Sequence, residues 1–516
     1  MTAHRNDTAP FPGAGAPALA GGVHGADALA KLTSVVLDAL AEGAQARGGP
    51  LPAGGPEEVA RRLRRALAAG TDAPDPAGAV LPPHGTGPEE ALRTVVRAVA
   101  EGAADPADPW CAAHLHCPPL AVAAAADLAA AALNPSMDSW DQAPAATALE
   151  QEVTRALAAL VHPGEAAPDA LVTSGGTESN LVALLLARER ARAAGAPGPR
   201  VVCGANAHHS VRRATWVLGL ADPVTVPCRD GRLDADALPA VLAAADGPAL
   251  VVATAGTTDE GLIDPLPAIA AAARRHGAEL HVDAAYGGPL LFSERLAPRL
   301  DGLADAVSVT FDLHKLGWQP VAAGLLTVPD TALLAPLALR ADYLNADDDT
   351  EAGLPDLLGR SLRTTRRPDV LKIAATLRAL GRSGLGALVE HCVAAAEGFA
   401  ERVDAHPALR RRPGPIGIST VLFRPAAADA LPPEEGDALV AEVRRRLLAT
   451  GGAVVGRAVA AGADGRGRLW LKATLLHPAA SGADLAGLLD LVAGTAEAAA
   501  AGPAPRTAHH PPEGTP

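Results

Sequence analysis

From Asp169 onward, short apolar runs alternate with segments of helical length, and this alternation restricts the fold more than any other feature of the chain. The runs are DALVT (169–173), RVVCG (200–204), ALVVAT (249–254), AELHVD (278–283) and AVSVTF (306–311). Between them, Glu178–Ala194, Asp234–Ala245 and Pro265–His276 have helical composition. A strand that is apolar throughout needs cover on both faces, and crossover helices supply it. The pattern predicts an α/β domain with a mainly parallel sheet.

Each run leads directly into a polar or small-residue cluster: SGGTESN after the first, then ANAHHS, AGTT, Asp283 with AAYGG, and DLHK. Ligands of open parallel sheets bind beyond the carboxyl ends of the strands. Five such clusters in succession predict one polar site along one sheet edge.

The clusters differ in what they offer. In Ser174–Asn180, the glycines allow close backbone approach and the following helix presents free N–H groups, which suits a phosphate; an ordinary capped turn would read the same way. The motif is neither a Walker loop nor GxGxxG, so nucleotide binding is not favoured. Asp283, at the end of an apolar strand, needs a cation or hydrogen-bond donors. A protonated pyridine nitrogen would serve, as would a structural arginine or a helix cap. Lys315 follows the last strand and His314; in a cleft, such a lysine can attack an aldehyde, whereas on a surface it is simply solvated. His208 and His209 offer a stacking ring, an acid or a base.

The flanking regions are simpler. The first twenty residues are rich in Ala, Gly and Pro, and helical stretches follow at 26–45, 57–69 and 88–102. Beyond Gly384, helices, STVLF (419–423) and RLWLKATLL (468–476) indicate a smaller α+β domain, ending in a Pro-rich tail. The expected division is 1–110, 111–383, 384–500 and 501–516.

The formal charge of −14, without a strongly basic stretch, argues against a nucleic-acid partner. Five cysteines without a CxxC pair fit a reduced cytoplasm, and no metal site is expected. The start of the chain lacks the apolar core of a signal peptide, and the most apolar stretch, Ala121–Leu133, is too short to span a bilayer.

Taken in order, TSGGTESNLVALLLAR, AHHSVRRA, ATAGTTDEGLIDPL, LHVDAAYGG and SVTFDLHKLGWQP resemble the group II pyridoxal-phosphate-dependent amino-acid decarboxylases. The resemblance covers about Trp110 to Pro478. It implies the aspartate aminotransferase-like fold type I, with pyridoxal 5'-phosphate as cofactor and a homodimer whose site lies at the subunit boundary. Lys315 matches the lysine that carries the cofactor aldehyde, with His314 beside it. Asp283 matches the partner of the pyridine nitrogen, and Ala285 lies against the ring. His208 matches the stacked histidine, ahead of His209. Gly176 and Thr177 match phosphate-holding positions, and Thr257 a threonine on the ring's hydroxyl side.

Within that family the segments AAHLHCPPL (112–120), NPSMDSWDQAPAATALEQ (134–151), ADYLNADDD (341–349) and RSLRTTRRPDVLK (360–372) are most similar to L-2,4-diaminobutyrate decarboxylases and siderophore-pathway lysine decarboxylases. His114, His116 and Cys117 become candidate substrate contacts, and an L-amino acid, a diamino acid foremost, the expected substrate. Asp347–Asp349 with Glu351 could attract such a substrate, or form a solvated acidic loop. Many members carry a tyrosine on a loop over the site; the corresponding stretch, about 345–363, has none, and the chain's tyrosines are Tyr286 and Tyr343. His208 is a substitute proton donor. Alternatives on the same fold are an aminotransferase and a decarboxylation-dependent oxidative deaminase; a non-enzymatic scaffold would have little reason to keep Lys315, Asp283 and His208 together.

Overall fold

The computed structural model describes residues 18–69, 78, 80–338, 348, 351–355, 357–462 and 465–501. Tyr343, Asp347, Asp349 and most of the Ala/Gly/Pro-rich start and the Pro-rich tail lie outside them, as does part of the 345–363 loop. The described residues form two compact units: 18–48, 56–103 and 131–134 in one, 49–55, 104–130 and 135–501 in the other.

The first unit is built on helices α1 (Gly25–Arg47), α2 (Gly55–Ala68) and α3 (Pro88–Glu101), close to the stretches expected. Small residues let α1 and α3 approach closely: a Cβ at Gly43 would lie 2.6 Å from the Ala100 Cβ. Lys31 and Glu89 pair at 2.7 Å between the same helices. Few apolar side chains are buried here, Val35 and Ala39 among them, so the unit has only a thin core.

The larger unit holds a seven-stranded sheet: β1 (Asp169–Thr173), β2 (Arg200–Gly204), β3 (Val224–Val226), β4 (Ala249–Thr254), β5 (Glu279–Asp283), β6 (Ser308–Asp312) and β7 (Gly324–Val328). Their order is β1-β7-β6-β5-β4-β2-β3. All pairings are parallel except those of β7, which is antiparallel to both β1 and β6. The sequence pattern marks five of these strands but not β3 or β7. β3 is only three residues long. β7 follows β6 without a helical crossover, which an antiparallel neighbour does not need.

Helices α4 (Pro144–Val161), α5 (Gly176–Ala193), α6 (Ser210–Val217) and α7 (Leu266–Arg275) belong to the same unit. Successive β4 residues face opposite layers, as strand geometry requires. Val251 and Ala253 join Leu157, Ile269 and Phe311 in one core, whereas Leu250 and Val252 join Leu184, Ala187 and Val201 in the other. That double cover explains why the strands carry no polar face.

A second sheet places the two-residue strand Cys111–Ala112 beside β10 (Val454–Ala461), then β11 (Gly467–Thr474), β9 (Thr420–Pro425) and β8 (Leu409–Arg411). Its core includes Phe399, Phe423, Val443, Leu471 and Leu488. Helix α8 (Val370–Ala405), broken at Gly381 (φ 64°, ψ 178°), sends Ile373 and Val389 into the first core and Phe399 and Val403 into the second. Helices α9 (Pro433–Thr450) and α10 (Gly482–Ala500) complete the layer; Ser481 and Asp484 cap the latter reciprocally. Among the described residues no helix is long and apolar enough to cross a membrane.

Candidate active site

The carboxyl ends of β1, β4, β5 and β6 surround a cavity of about 320 Å³. Its floor at β1 is the turn Ser174–Thr177, which starts α5. Gly175 has φ 151°, ψ −179°, a conformation that strongly favours glycine, and a Cβ there would lie 2.9 Å from the His314 ring. A Cβ on Gly176 would meet Ala285 Cβ at 3.0 Å and Asp312 Oδ2 at 3.2 Å. The backbone thus lies open to the cavity at the positive end of a helix.

Two carboxylates and one amine line the same cavity. Asp283, buried at the end of β5, accepts the Asn180 amide at 2.8 Å on Oδ2 and the Ala285 N–H at 3.1 Å on Oδ1. Asp312, at the end of β6, has a side chain only 1% exposed; its Oδ2 lies 3.1 Å from Lys315 Nζ and accepts the Gly176 N–H at 3.1 Å. Its Oδ1 is buried without a partner among the described residues. His314 Nε2 lies 3.5 Å from the same Oδ2, and burial lowers this histidine below its ordinary range.

His208 forms a side wall. Its Nδ1 is 2.8 Å from Ser210 Oγ and receives the Ser210 backbone N–H at 3.3 Å. Burial pulls its pKa down despite the opposing pull of Asp283, so the ring is neutral at pH 7. His209, with its ring centroid 4.1 Å away, lines a neighbouring surface pocket and not this cavity.

Comparison with known proteins is consistent with this geometry. The pyridoxal-dependent decarboxylase conserved domain matches residues 87–424. The chain belongs to that family. It is 43% identical to an L-2,4-diaminobutyrate decarboxylase of Rhizobium meliloti, over 74% of this chain and 77% of the relative. A second L-2,4-diaminobutyrate decarboxylase, from Acinetobacter baumannii, is 36% identical over 67% of this chain and 72% of its own length. In structure the chain is similar to the glutamate decarboxylase domain of diaminobutyrate-pyruvate transaminase and L-2,4-diaminobutyrate decarboxylase from Vibrio parahaemolyticus. That match has a TM-score of 0.79 and 29% identity, and covers 93% of this chain and 98% of the other. The fold is therefore that of the pyridoxal-phosphate enzymes of fold type I, and the chain is a pyridoxal-phosphate-dependent amino-acid decarboxylase.

The site fits that cofactor on its own terms. A decarboxylase of this family needs an amine for the aldehyde, an acid for the pyridine nitrogen and N–H groups for the phosphate. Lys315 and Asp283 offer the first two around one cavity, and the start of α5 at Thr177 offers the third; the Gly175 N–H is donated to Thr173 Oγ1 at 3.3 Å and the Gly176 N–H to Asp312 Oδ2. The buried Asp312 Oδ1, without a partner among the described residues, marks unused hydrogen-bonding capacity beside it.

Of the residues singled out from sequence, Gly176, Thr177, His208, Asp283, Ala285, His314 and Lys315 line the cavity together. Thr257 does not: its hydroxyl accepts the Leu262 N–H at 3.0 Å inside its own turn, while Thr254 and Thr258 line the wall. His114 and His116 are exposed and outside the lining, whereas Leu115 between them reaches it. Burial and the charge of Lys472 lower His114. Cys117 is buried, its thiol pushed up to about 12, and it donates to the His314 carbonyl at 3.2 Å. Among the described residues no cluster of His, Cys, Asp and Glu is placed to hold a metal.

Sequence reading missed Asp312 and Asn180. Both sit inside quoted motifs, Asp312 three residues before Lys315 and Asn180 four after Gly176. One turn of helix, or one strand end, is the spacing that carries them back to the same site.

Proposed function

We propose that this enzyme decarboxylates a diamino acid, L-2,4-diaminobutyrate foremost, with Lys315 as the covalent anchor of the cofactor. The arrangement that carries the reading is Lys315, Asp283 and the Gly175–Gly176 turn lining one cavity. The two diaminobutyrate decarboxylases cited above support the substrate.

When bound, the cofactor supplies an electron sink for the pair left behind as a Cα–carboxylate bond breaks. Lys315 would hold the aldehyde end. Asp283, fixed by two N–H donors, keeps its charge directed at the ring nitrogen. Gly176 and Thr177 receive the phosphate at the α5 terminus. His208, in the cavity wall, would stand beside the cofactor and supply the proton for Cα. The competing donor Tyr286 is committed elsewhere: its hydroxyl lies 2.8 Å from Ser419 Oγ and 3.0 Å from Thr420 Oγ1, and burial raises it to about 12. His114, His116 and Cys117 shape the approach of the substrate, Cys117 through its hold on the His314 carbonyl.

Further features of the reading are a homodimer with the site at the subunit boundary, a cytoplasmic location, and a division into residues 1–110, 111–383 and 384–500. The thin core of the N-terminal helices supports a partner subunit. Cysteines that form no disulfide support a reducing compartment. Separate cores for the two sheets support the division.

The test is a panel of amino acids, beginning with diaminobutyrate and lysine, assayed in deuterated water for carbon dioxide, amine and aldehyde. One deuteron at Cα of an amine product is expected; aldehyde and ammonia as main products would overturn simple decarboxylation. Borohydride reduction of the holoenzyme should label Lys315. An active monomer on sedimentation would overturn the dimer.

A further inference from the structure

Asn180 does not line the cavity, yet its buried side chain joins the two cavity groups that handle charge. Its Nδ2 donates to Asp283 Oδ2 at 2.8 Å and to Ser210 Oγ at 2.8 Å. Its Oδ1 accepts from Thr310 Oγ1 at 2.7 Å and lies 3.0 Å from His281 Nε2.

The carboxylate decides how the Asn180 amide is oriented. An ionised carboxylate only accepts, so the Asn180 group against Asp283 is the NH₂. The carbonyl then faces His281 Nε2 at 3.0 Å, while Ser308 meets His281 Nδ1 with its Oγ at 2.9 Å and its carbonyl at 3.1 Å. On the other side, Ser210 Oγ receives an Asn180 N–H and turns its own proton toward His208 Nδ1. The Ser210 backbone N–H points at the same nitrogen. With two donors on Nδ1, the ring proton of neutral His208 resides on Nε2.

We infer that Asn180 is a positioning residue that couples Asp283 to His208: it anchors the charged carboxylate directly and, through Ser210, fixes His208 as the Nε2–H tautomer. This rests on the roles of Asp283 and His208 proposed above. It explains which nitrogen of His208 is held by Ser210 and which is left to face the cavity carrying a proton.

The test uses holoenzyme labelled with [15N]histidine. At pH 7 the His208 signals, identified by their loss in His208→Gln, should show one protonated and one unprotonated nitrogen, with Nδ1 unprotonated. Ser210→Ala leaves only the longer backbone donor, and its two ring shifts should move toward each other. Asn180→Asp keeps the shape but sets carboxylate against carboxylate; kcat should fall about 100-fold with KM within about threefold. Ser210→Ala should lower kcat about tenfold, and the double variant should be no worse than Asn180→Asp alone, because both act through one chain of hydrogen bonds. Unchanged His208 shifts in Ser210→Ala, additive losses in the double variant, or wild-type kcat in Asn180→Asp would overturn the inference; if Asn180→Asp does not fold, the Ser210→Ala shifts decide. Wild-type protein with the stated His208 shifts but no decarboxylation would instead sink the proposed function and leave the coupling standing.

Discussion

Lys315 Nζ and Asp312 Oδ2 lie 3.1 Å apart, on a lysine whose side chain is 17% exposed and an aspartate whose side chain is 1% exposed. The pair is the main charge compensation of Asp312, with His314 at 3.5 Å as a neutral neighbour. Removing one partner of a buried ion pair leaves an uncompensated charge. Lys315→Ala should therefore destabilise the cofactor-free protein by about 3 kcal/mol, in addition to abolishing covalent cofactor capture. Adding Asp312→Asn should restore most of that stability but none of the capture. Urea unfolding and borohydride labelling of the two variants separate the effects.

The turn before α5 tolerates no side chain. Gly175→Ala would combine an unfavourable φ of 151° with a Cβ 2.9 Å from the His314 ring. Cofactor affinity should fall at least tenfold, about 1.4 kcal/mol. Titration of the visible absorbance with pyridoxal phosphate measures it; Gly164→Ala, at another positive-φ glycine with open space around it, controls for backbone strain alone.

Arg366 and Glu150 form a two-pronged ion pair at 2.6 and 2.7 Å with side chains 2% and 4% exposed. The Arg366 carbonyl also accepts the Met137 N–H at 2.8 Å, so the pair fastens the loop before α8 onto α4 and the segment ahead of it. Arg366→Met should cost about 3–5 kcal/mol by stranding Glu150. Arg366→Met with Glu150→Leu should recover a large part, which a shift in urea midpoint would record.

The sequence made the site's frame legible because apolar period and chain direction place strand ends without further information. β1, β2 and β4 fall on the runs as read, and β5 and β6 within two residues. What it could not convey was which polar atoms in each cluster face inward. Thr254, Thr257 and Thr258 are equivalent in composition, yet Thr257 spends its hydroxyl on the Leu262 N–H, an arrangement decided by the turn's geometry. His114 takes φ 62°, which orients the segment so that Leu115, not its neighbours, meets the cavity. Asn180 and Asp312 were hidden for the converse reason: a polar residue in a helix or at a strand end reads as solvated until its partners are known, and theirs come from other strands and helices.

Acid should destabilise this protein through two buried histidines. Burial holds His162 and His281 each at about 4, below the ordinary 6.5. His162 Nε2 is tied to Thr327 Oγ1 at 3.1 Å, and His281 sits in the Asn180 network. With native pKa values below the unfolded ones, the unfolded chain binds more protons between those limits. Stability is therefore fully present above pH 6.5 and declines as pH falls toward 4, with no further loss from these groups below that. At pH 5 each costs on the order of 2 kcal/mol relative to pH 7. His162→Gln, which keeps an amide nitrogen for Thr327 but does not titrate, should flatten the slope of the urea midpoint between pH 6.5 and 4.5, the other lowered histidines keeping the rest. An unchanged slope in that variant would show that His162 meets protons as readily in the folded chain as in the unfolded one.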